Sequence, residues 1–203
     1  MGLVVYKLGG SLLSCVDLAA RLRAVFQQRP DDQSLIVVGG GAAADVVRDW
    51  NHIHALPESA AHWLAVRSLS LNRALVRHLL PESREVSSRE AAESLWSEGN
   101  RPLLLDVEAC LREAEGQDRS PLPHCWDVTS DSIAAWIASR WDADELVLLK
   151  STSLPAESTL DEATRLELVD AYFRHLANET PRVSWCNLCE EGASVVSWLI
   201  PTL

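Results

Sequence analysis

A chain of 203 residues, 47% hydrophobic and 23% charged, can bury a full core as one domain of at most two lobes, which excludes disorder for its body. A formal charge of −11 without a basic patch excludes nucleic acid as the expected partner. No apolar run is long enough to span a bilayer, and five cysteines without a recognisable secretory leader fit a reducing compartment, so a soluble cytoplasmic protein with no membrane partner is expected.

The first predicted element is an apolar strand, Val4–Leu8, which runs into Lys7-Leu-Gly-Gly-Ser11 and then at once into a helix-patterned segment over 12–27. A strand that delivers a glycine turn to a helix is a phosphate-binding arrangement. Gly9 and Gly10 let backbone N–H groups approach an anion, and Lys7 supplies a compact positive charge. Ser11 either caps the helix or donates to a phosphate oxygen. Arg29-Pro-Asp-Asp32 ends the segment.

Ser34–Val38 is a second strand, whose lack of polar alternation predicts burial on both faces, as in a parallel sheet. It runs into Gly39, Gly40 and Gly41 and a helix from Ala42 to about Asn51, with Asp45, Arg48 and Asp49 on one polar face. Two glycine turns at the C-terminal ends of two strands aim two helix N-termini into one crevice, which suits a phosphoryl donor facing an acceptor.

The longest helical pattern runs from Leu56 to about Leu80, with Pro57 near its first turn, and can wall one side of that crevice. It carries His62, which reads on its own as a solvated or hydrogen-bonded structural histidine, and Arg67. Short strands at Val86 and Leu103–Leu105 flank a helix over Arg89–Ser97, and another helix begins near Val107. The polar, proline-bearing stretch 116–123 is the candidate boundary between a lobe over about 1–120 and a lobe over about 121–203.

Beyond it, Thr129 or Ser130 can cap a helix with Asp131 in its first turn, where the helix dipole alone favours a carboxylate. Glu145–Lys150 is the clearest later strand; a helix around 166–176, a strand around 183–185 and an apolar ending over 195–200 follow. Of the 18 Lys and Arg residues only Lys7 and Lys150 are lysines, and each ends a predicted strand. That placement points to an ammonium needed beside phosphates at both positions.

Other motifs are weaker. Gly39-Gly-Gly-Ala-Ala-Ala44 matches a loose dinucleotide fingerprint but lacks the acidic residue on a second strand, and no Walker phosphate loop is present because Lys7 precedes its glycines. Cys186-Asn-Leu-Cys189 has the spacing of half a zinc site without a second pair, so no metal ligands are expected. Among the tryptophans, Trp63 and Trp136 are the candidates for stacking on a flat ligand.

Lys7-Leu-Gly-Gly-Ser11, Gly39-Gly-Gly41, Thr129-Ser-Asp-Ser-Ile-Ala-Ala135 and Leu146-Val-Leu-Leu149 resemble, in this order, the amino acid kinase superfamily of acetylglutamate, aspartate, uridylate and isopentenyl phosphate kinases. The small size and Leu56-Pro-Glu-Ser-Ala-Ala-His-Trp-Leu-Ala65 are most similar to the aminomethylfuran-methyl phosphate kinases of methanofuran biosynthesis. The resemblance implies a three-layer α/β/α sandwich around a mainly parallel sheet, with the acceptor in the N-terminal half and ATP in the C-terminal half. It implies ATP-dependent, Mg2+-assisted transfer to a small phosphate or carboxylate acceptor, and dimers are common in such families. Lys7, Gly9, Gly10 and Ser11 would hold the phosphoryl group, with Ser151 beside them, and Asp131 would orient the catalytic lysines. Gly39, Gly40 and Gly41 would line the acceptor side, where Arg48, His62 and Arg67 are the candidate contacts.

The last third departs from that pattern, because no glycine occurs between Gly116 and Gly192 and the only candidate for a second catalytic lysine is Lys150. Either Lys150 serves from its strand end, or the chain is a weakened relative that binds a small ligand or acts as a partner subunit. Where Lys150 points relative to Lys7 and Asp131 separates the two. A kinase for another small carboxylate or phosphate carries the same motifs.

Overall fold

Residues 2–117 and 122–200 are described by a computed structural model; part of the expected lobe boundary, 118–121, lies outside them. Seven strands form one sheet: β1 (Leu3–Leu8), β2 (Gln33–Val38), β3 (Arg84–Val86), β4 (Leu103–Leu105), β5 (Glu145–Lys150), β6 (Arg182–Asn187) and β7 (Val196–Leu199). Their spatial order is β3-β4-β2-β1-β5-β6-β7, parallel throughout except for β7, which runs antiparallel to β6. β1 pairs with β2 on one side and β5 on the other, and all six of its residues are buried. Early connections leave β1 toward β2 and later ones return beyond it at β5, which makes the C-terminal end of β1 a switch point of the topology.

Eight helices cover the sheet: α1 (Leu18–Gln27), α2 (Gly41–His54), α3 (Glu58–Leu79), α4 (Arg89–Ser97), α5 (Val107–Gly116), α6 (Ser130–Arg140), α7 (Leu160–Arg165) and α8 (Phe173–Leu176), counted among the described residues. The two-residue period of the strands divides the core. Leu3, Val5, Leu35, Val37, Leu146 and Leu148 face a layer with α4, α5 and α6, while Val4, Tyr6, Leu8, Ile36, Val147 and Leu149 face α1 and the C-terminal end of α3. By the same alternation Lys7 falls in line with Leu3 and Val5, and Lys150 with Leu146 and Leu148. Both lysines therefore face α6, which is buried from Ser130 to Ala138. The chain is an α/β sandwich with a mainly parallel sheet. No helix among the described residues is long and apolar enough to cross a membrane.

Two expected helices are redrawn. The segment over 12–27 splits into a 3-10 turn at Gly10–Ser14 and α1, because regular apolar spacing starts only at Leu18, while the tight turn buries Leu12 and leaves Val16 in solvent. The expected helix over 166–176 is not formed over most of that range: α7 ends at Arg165 before it begins, Glu167 holds φ 55, and only Phe173–Leu176, α8, is helical. There the Leu168 amide donates back to Ala163 O at 2.9 Å, a closed helix end, and the residues beyond turn toward α6.

Candidate active site

The two glycine turns meet. A Cβ at Gly10 would lie 2.2 Å from the amide nitrogen of Gly41, and Gly41 holds φ +47, so bare backbone is required on both sides of the contact. The Gly9 amide donates to Leu149 O at 2.9 Å and the Gly39 amide to Leu8 O at 2.8 Å, which ties both turns to strand ends. Asn72, buried on α3, donates from Nδ2 to Gly39 O and Gly40 O, both at 2.7 Å. Asn72 was not among the sequence candidates; its partners lie more than 30 residues upstream and no local pattern marks them.

Beside the turns, Asp131 in the first turn of α6 receives both lysines. Lys7 Nζ stands 2.9 Å and Lys150 Nζ 2.8 Å from Asp131 Oδ1. Lys150 Nζ also donates to Asp131 Oδ2 at 2.9 Å and to Leu168 O at 2.6 Å. Lys150 thus points into the crevice it shares with Lys7 and Asp131. Two lysines against one carboxylate leave this buried cluster with an excess positive charge, and an anion is its natural counterpart. Burial alone would raise the Asp131 pKa, yet Lys150 and then Lys7 hold it below the ordinary aspartate range. Burial lowers that of Lys150 despite the attraction of Asp131, with Lys7 adding to the fall. At the rim, Ser11 Oγ and Ser151 Oγ are 2.9 Å apart, so the two candidate phosphate-binding hydroxyls meet across 140 residues of chain.

A cavity of about 190 Å3 opens on Lys7, Gly10, Gly40 and Gly41. His62, Ala65, Val66 and Leu69 line it from one stripe of α3, while Trp126, Val128 and Ile133 close it from the loop before α6 and from α6 itself. The cavity therefore draws on both sides of residue 120. Arg48 lines it too, held 2.6 Å from Asp45 Oδ1 with its guanidinium 5.3 Å from the centre of the Trp126 ring. His62 stacks on His124 with ring centres 4.2 Å apart, and His124 is pinned to Ser59 at 3.1 Å and Glu115 at 2.5 Å. Burial, then His124, pushes the His62 pKa down to about 4, leaving a neutral imidazole against the cavity.

Some candidates fall elsewhere. Arg67 lies on the outer side of α3, 3.3 Å from Glu108, and does not line the cavity. Five residues after His62 on a helix of 3.6 per turn, it points well away from the lining stripe. Trp63 packs against His124 and Arg112, and Trp136 is buried beside Arg140, so the aromatic wall of the cavity is Trp126. Cys186 is buried and Cys189 exposed, both free, and no metal-holding group of three or more His, Cys, Asp or Glu occurs among the described residues. Beyond Lys150, whose Nζ lies 5.5 Å from the centre of the Trp185 ring, a second cavity of about 450 Å3 is lined by 153–158, Trp185, Asn187 and Trp198.

The family model of the amino acid kinase family matches residues 2–170, a span that contains both glycine turns, Asp131 and both lysines. The chain belongs to that family. Its fold is shared with a uridylate kinase from Archaeoglobus fulgidus at TM-score 0.60 and 18% identity, covering 91% of this chain and 90% of that one. A UMP kinase from Ureaplasma parvum gives TM-score 0.65 and 14% identity over 95% and 92% of the two chains, and one from Bacillus anthracis gives 0.62 and 15% over 94% and 89%. Comparison with curated protein sequences gave no match. Within the amino acid kinase fold, the cluster of Lys7, Asp131 and Lys150 sits at the sheet's switch point, where β1 and β5 end side by side.

Proposed function

We propose that this amino acid kinase family member is an ATP-dependent phosphotransferase acting on a small phosphorylated acceptor, and that the acceptor is a furan-methyl phosphate converted to its diphosphate for a methanofuran-type one-carbon carrier. The single observation that carries the kinase reading is the buried cluster in which Lys7 and Lys150 share Asp131. It supports an enzyme over a weakened partner subunit, because Lys150 occupies the crevice despite the missing late glycines. The furan-methyl phosphate assignment rests on the resemblance around His62.

In this reading an acceptor phosphate oxygen attacks the γ-phosphorus of ATP, a new P–O bond forms, the bond to ADP breaks, and the diphosphate leaves with ADP. Lys7 and Lys150 stand where negative charge spreads during transfer, and Asp131 fixes both ammoniums so that none of this positioning is deferred to the reaction itself. Gly10, Ser11 and Ser151 give N–H and hydroxyl donors to the phosphates, while Gly9, whose amide is spent on Leu149 O, shapes the turn that presents them. Arg48 and the turn at Gly39–Gly41 serve the acceptor, with neutral His62 against its uncharged part. The second cavity takes the donor beyond Lys150. Because the lysines occupy Asp131, the donor set suits Mg2+ carried on nucleotide phosphates, which neutralises their charge. The proposed enzyme works in the cytoplasm, with the acceptor lobe over about 1–120 and the nucleotide lobe over about 121–203, as a homodimer.

Calorimetric titration with a non-hydrolysable ATP analogue and Mg2+ tests the donor assignment. Micromolar binding lost in Lys150→Ala is the expected result, and titrations without heat, with or without the phosphate acceptor present, would overturn it. Turnover measured on furan-methyl phosphate and on UMP side by side separates the acceptor classes; a preference for UMP would refute the furan assignment and leave the kinase reading intact.

A further inference from the structure

The helix that carries Asp131 is not capped by its own N-terminal residue. Thr129 occupies the cap position of α6, yet its side chain makes no capping bond. The cap comes from Asp170, which lies 41 residues downstream between α7 and α8. Asp170 Oδ2 accepts from the Thr129 amide at 3.0 Å, from Thr129 Oγ1 at 2.7 Å and from the Ser132 amide at 2.9 Å. Its Oδ1 accepts from Ser132 Oγ and from the Phe173 amide. Five donors on one carboxylate saturate its lone pairs and fix it in place.

The same segment reaches the other parts of the site. Leu168 O accepts from Lys150 Nζ at 2.6 Å, and the Tyr172 amide donates to Asp127 O at 3.1 Å, next to Trp126 in the wall of the first cavity. Residues 168–172 therefore grip the ammonium of Lys150, the helix turn bearing Asp131, and the loop that closes the cavity. The geometry points to Asp170 as a positioning residue: its carboxylate locks the first turn of α6 against the 168–172 segment and so sets the register of Asp131 with Lys150. Its effect on turnover rests on the phosphotransferase reading; its effect on Lys150 does not.

Asp170 touches neither reacting group. A cap that only stabilised α6 would alter unfolding and nothing else, whereas a positioning residue alters how Lys150 titrates. The groups facing Lys150 are Asp131 from α6, Lys7 from β1 and the Trp185 ring from β6, together with the Leu168 carbonyl. Loosening the clamp lets water reach an ammonium whose pKa is lowered chiefly by burial.

Because the chain has only two lysines, lysine labelled with 13C at Cε gives two side-chain signals, which a Lys7→Arg protein assigns. The test is the pH titration of the Lys150 signal in the parent and in Asp170→Asn, which keeps the shape and removes the charge. An upward move of the Lys150 midpoint by about one unit is expected, with kcat lower by about 10–100-fold and the nucleotide KM little changed. A midpoint equal to the parent's, in a folded Asp170→Asn protein, would overturn the proposal. Should that variant not fold, Ser132→Ala removes one donor while the carboxylate stays, and the same upward move, smaller, is expected; no move there would equally refute it. The titration decides the matter even if no acceptor is turned over, so failure of the kinase reading and failure of the clamp are told apart.

Discussion

Asp131 sits under two ammoniums, and the balance among the three groups sets the pH behaviour expected of the site. Burial lowers the Lys150 pKa, so Lys150 loses its proton at a pH below the ordinary lysine value of about 10.4. If the protonated form assists transfer, kcat/KM falls as pH rises through that lowered value. A Lys150→Arg protein, whose guanidinium keeps its charge, should lack this alkaline limb whatever its residual rate. Removing Lys7 as Lys7→Ala is expected to lower turnover by about 10²–10³-fold, measured as ADP release under saturating ATP. His62 gives the acid side. Its folded pKa of about 4 lies below the ordinary histidine value of about 6.5, so the unfolded chain binds the extra proton first. The stability His62 contributes is fully present above about pH 6.5 and is lost as pH falls toward about 4, on the order of 2 kcal/mol by pH 4.5. Denaturant midpoints at pH 7 and pH 4.5, in the parent and in His62→Gln, check this: the difference between the two pH values should shrink in the variant.

At the scale of elements, the glycine turns owe their sequence to each other as much as to a ligand. A methyl group at Gly10 would meet the backbone of Gly41, which has no flexible end to move aside. Gly10→Ala should therefore destabilise the fold by roughly 1–3 kcal/mol and displace α2 from the cavity. Asn72→Ala strips the shared donor from two buried carbonyls and should cost about 1–3 kcal/mol in chemical unfolding. The turns themselves were legible, since each follows an apolar strand directly. Asn72 and Asp170 were not, because their bonds span long stretches of chain and the residues beside them carry no pattern. Arg67 shows the reverse case: helical geometry places it well over a third of a turn from His62, so the sequence alone held the means to set it aside. The expected helix over 166–176 failed because Leu168 and Asp170 have tertiary partners that outweigh helical spacing.

For the whole molecule, strand alternation is the feature that makes the site. Lys7 and Lys150 reach one carboxylate because β1 and β5 are neighbours in register, with Lys7 opposite Leu148 and both lysines on the α6 side. The early half of the sheet, the long α3 and the lysine pair could be read from apolar runs and from the scarcity of lysine. The order β3-β4-β2-β1-β5-β6-β7 and the antiparallel β7 could not, since pairing depends on contacts remote in sequence. The cavity also crosses the boundary expected near residue 120, since residues from both sides of it line the cavity. Whether the lysine cluster transfers phosphate to this acceptor is read from 31P NMR of ATP, Mg2+ and furan-methyl phosphate mixed with the parent or with Lys7→Ala. The parent should convert the monophosphate resonance into a diphosphate pair as ADP appears, and Lys7→Ala should do so at least about 10²-fold more slowly. Equal conversion by the two proteins would contradict the role of the lysine cluster, and ATP left intact by the parent would contradict phosphoryl transfer to this acceptor.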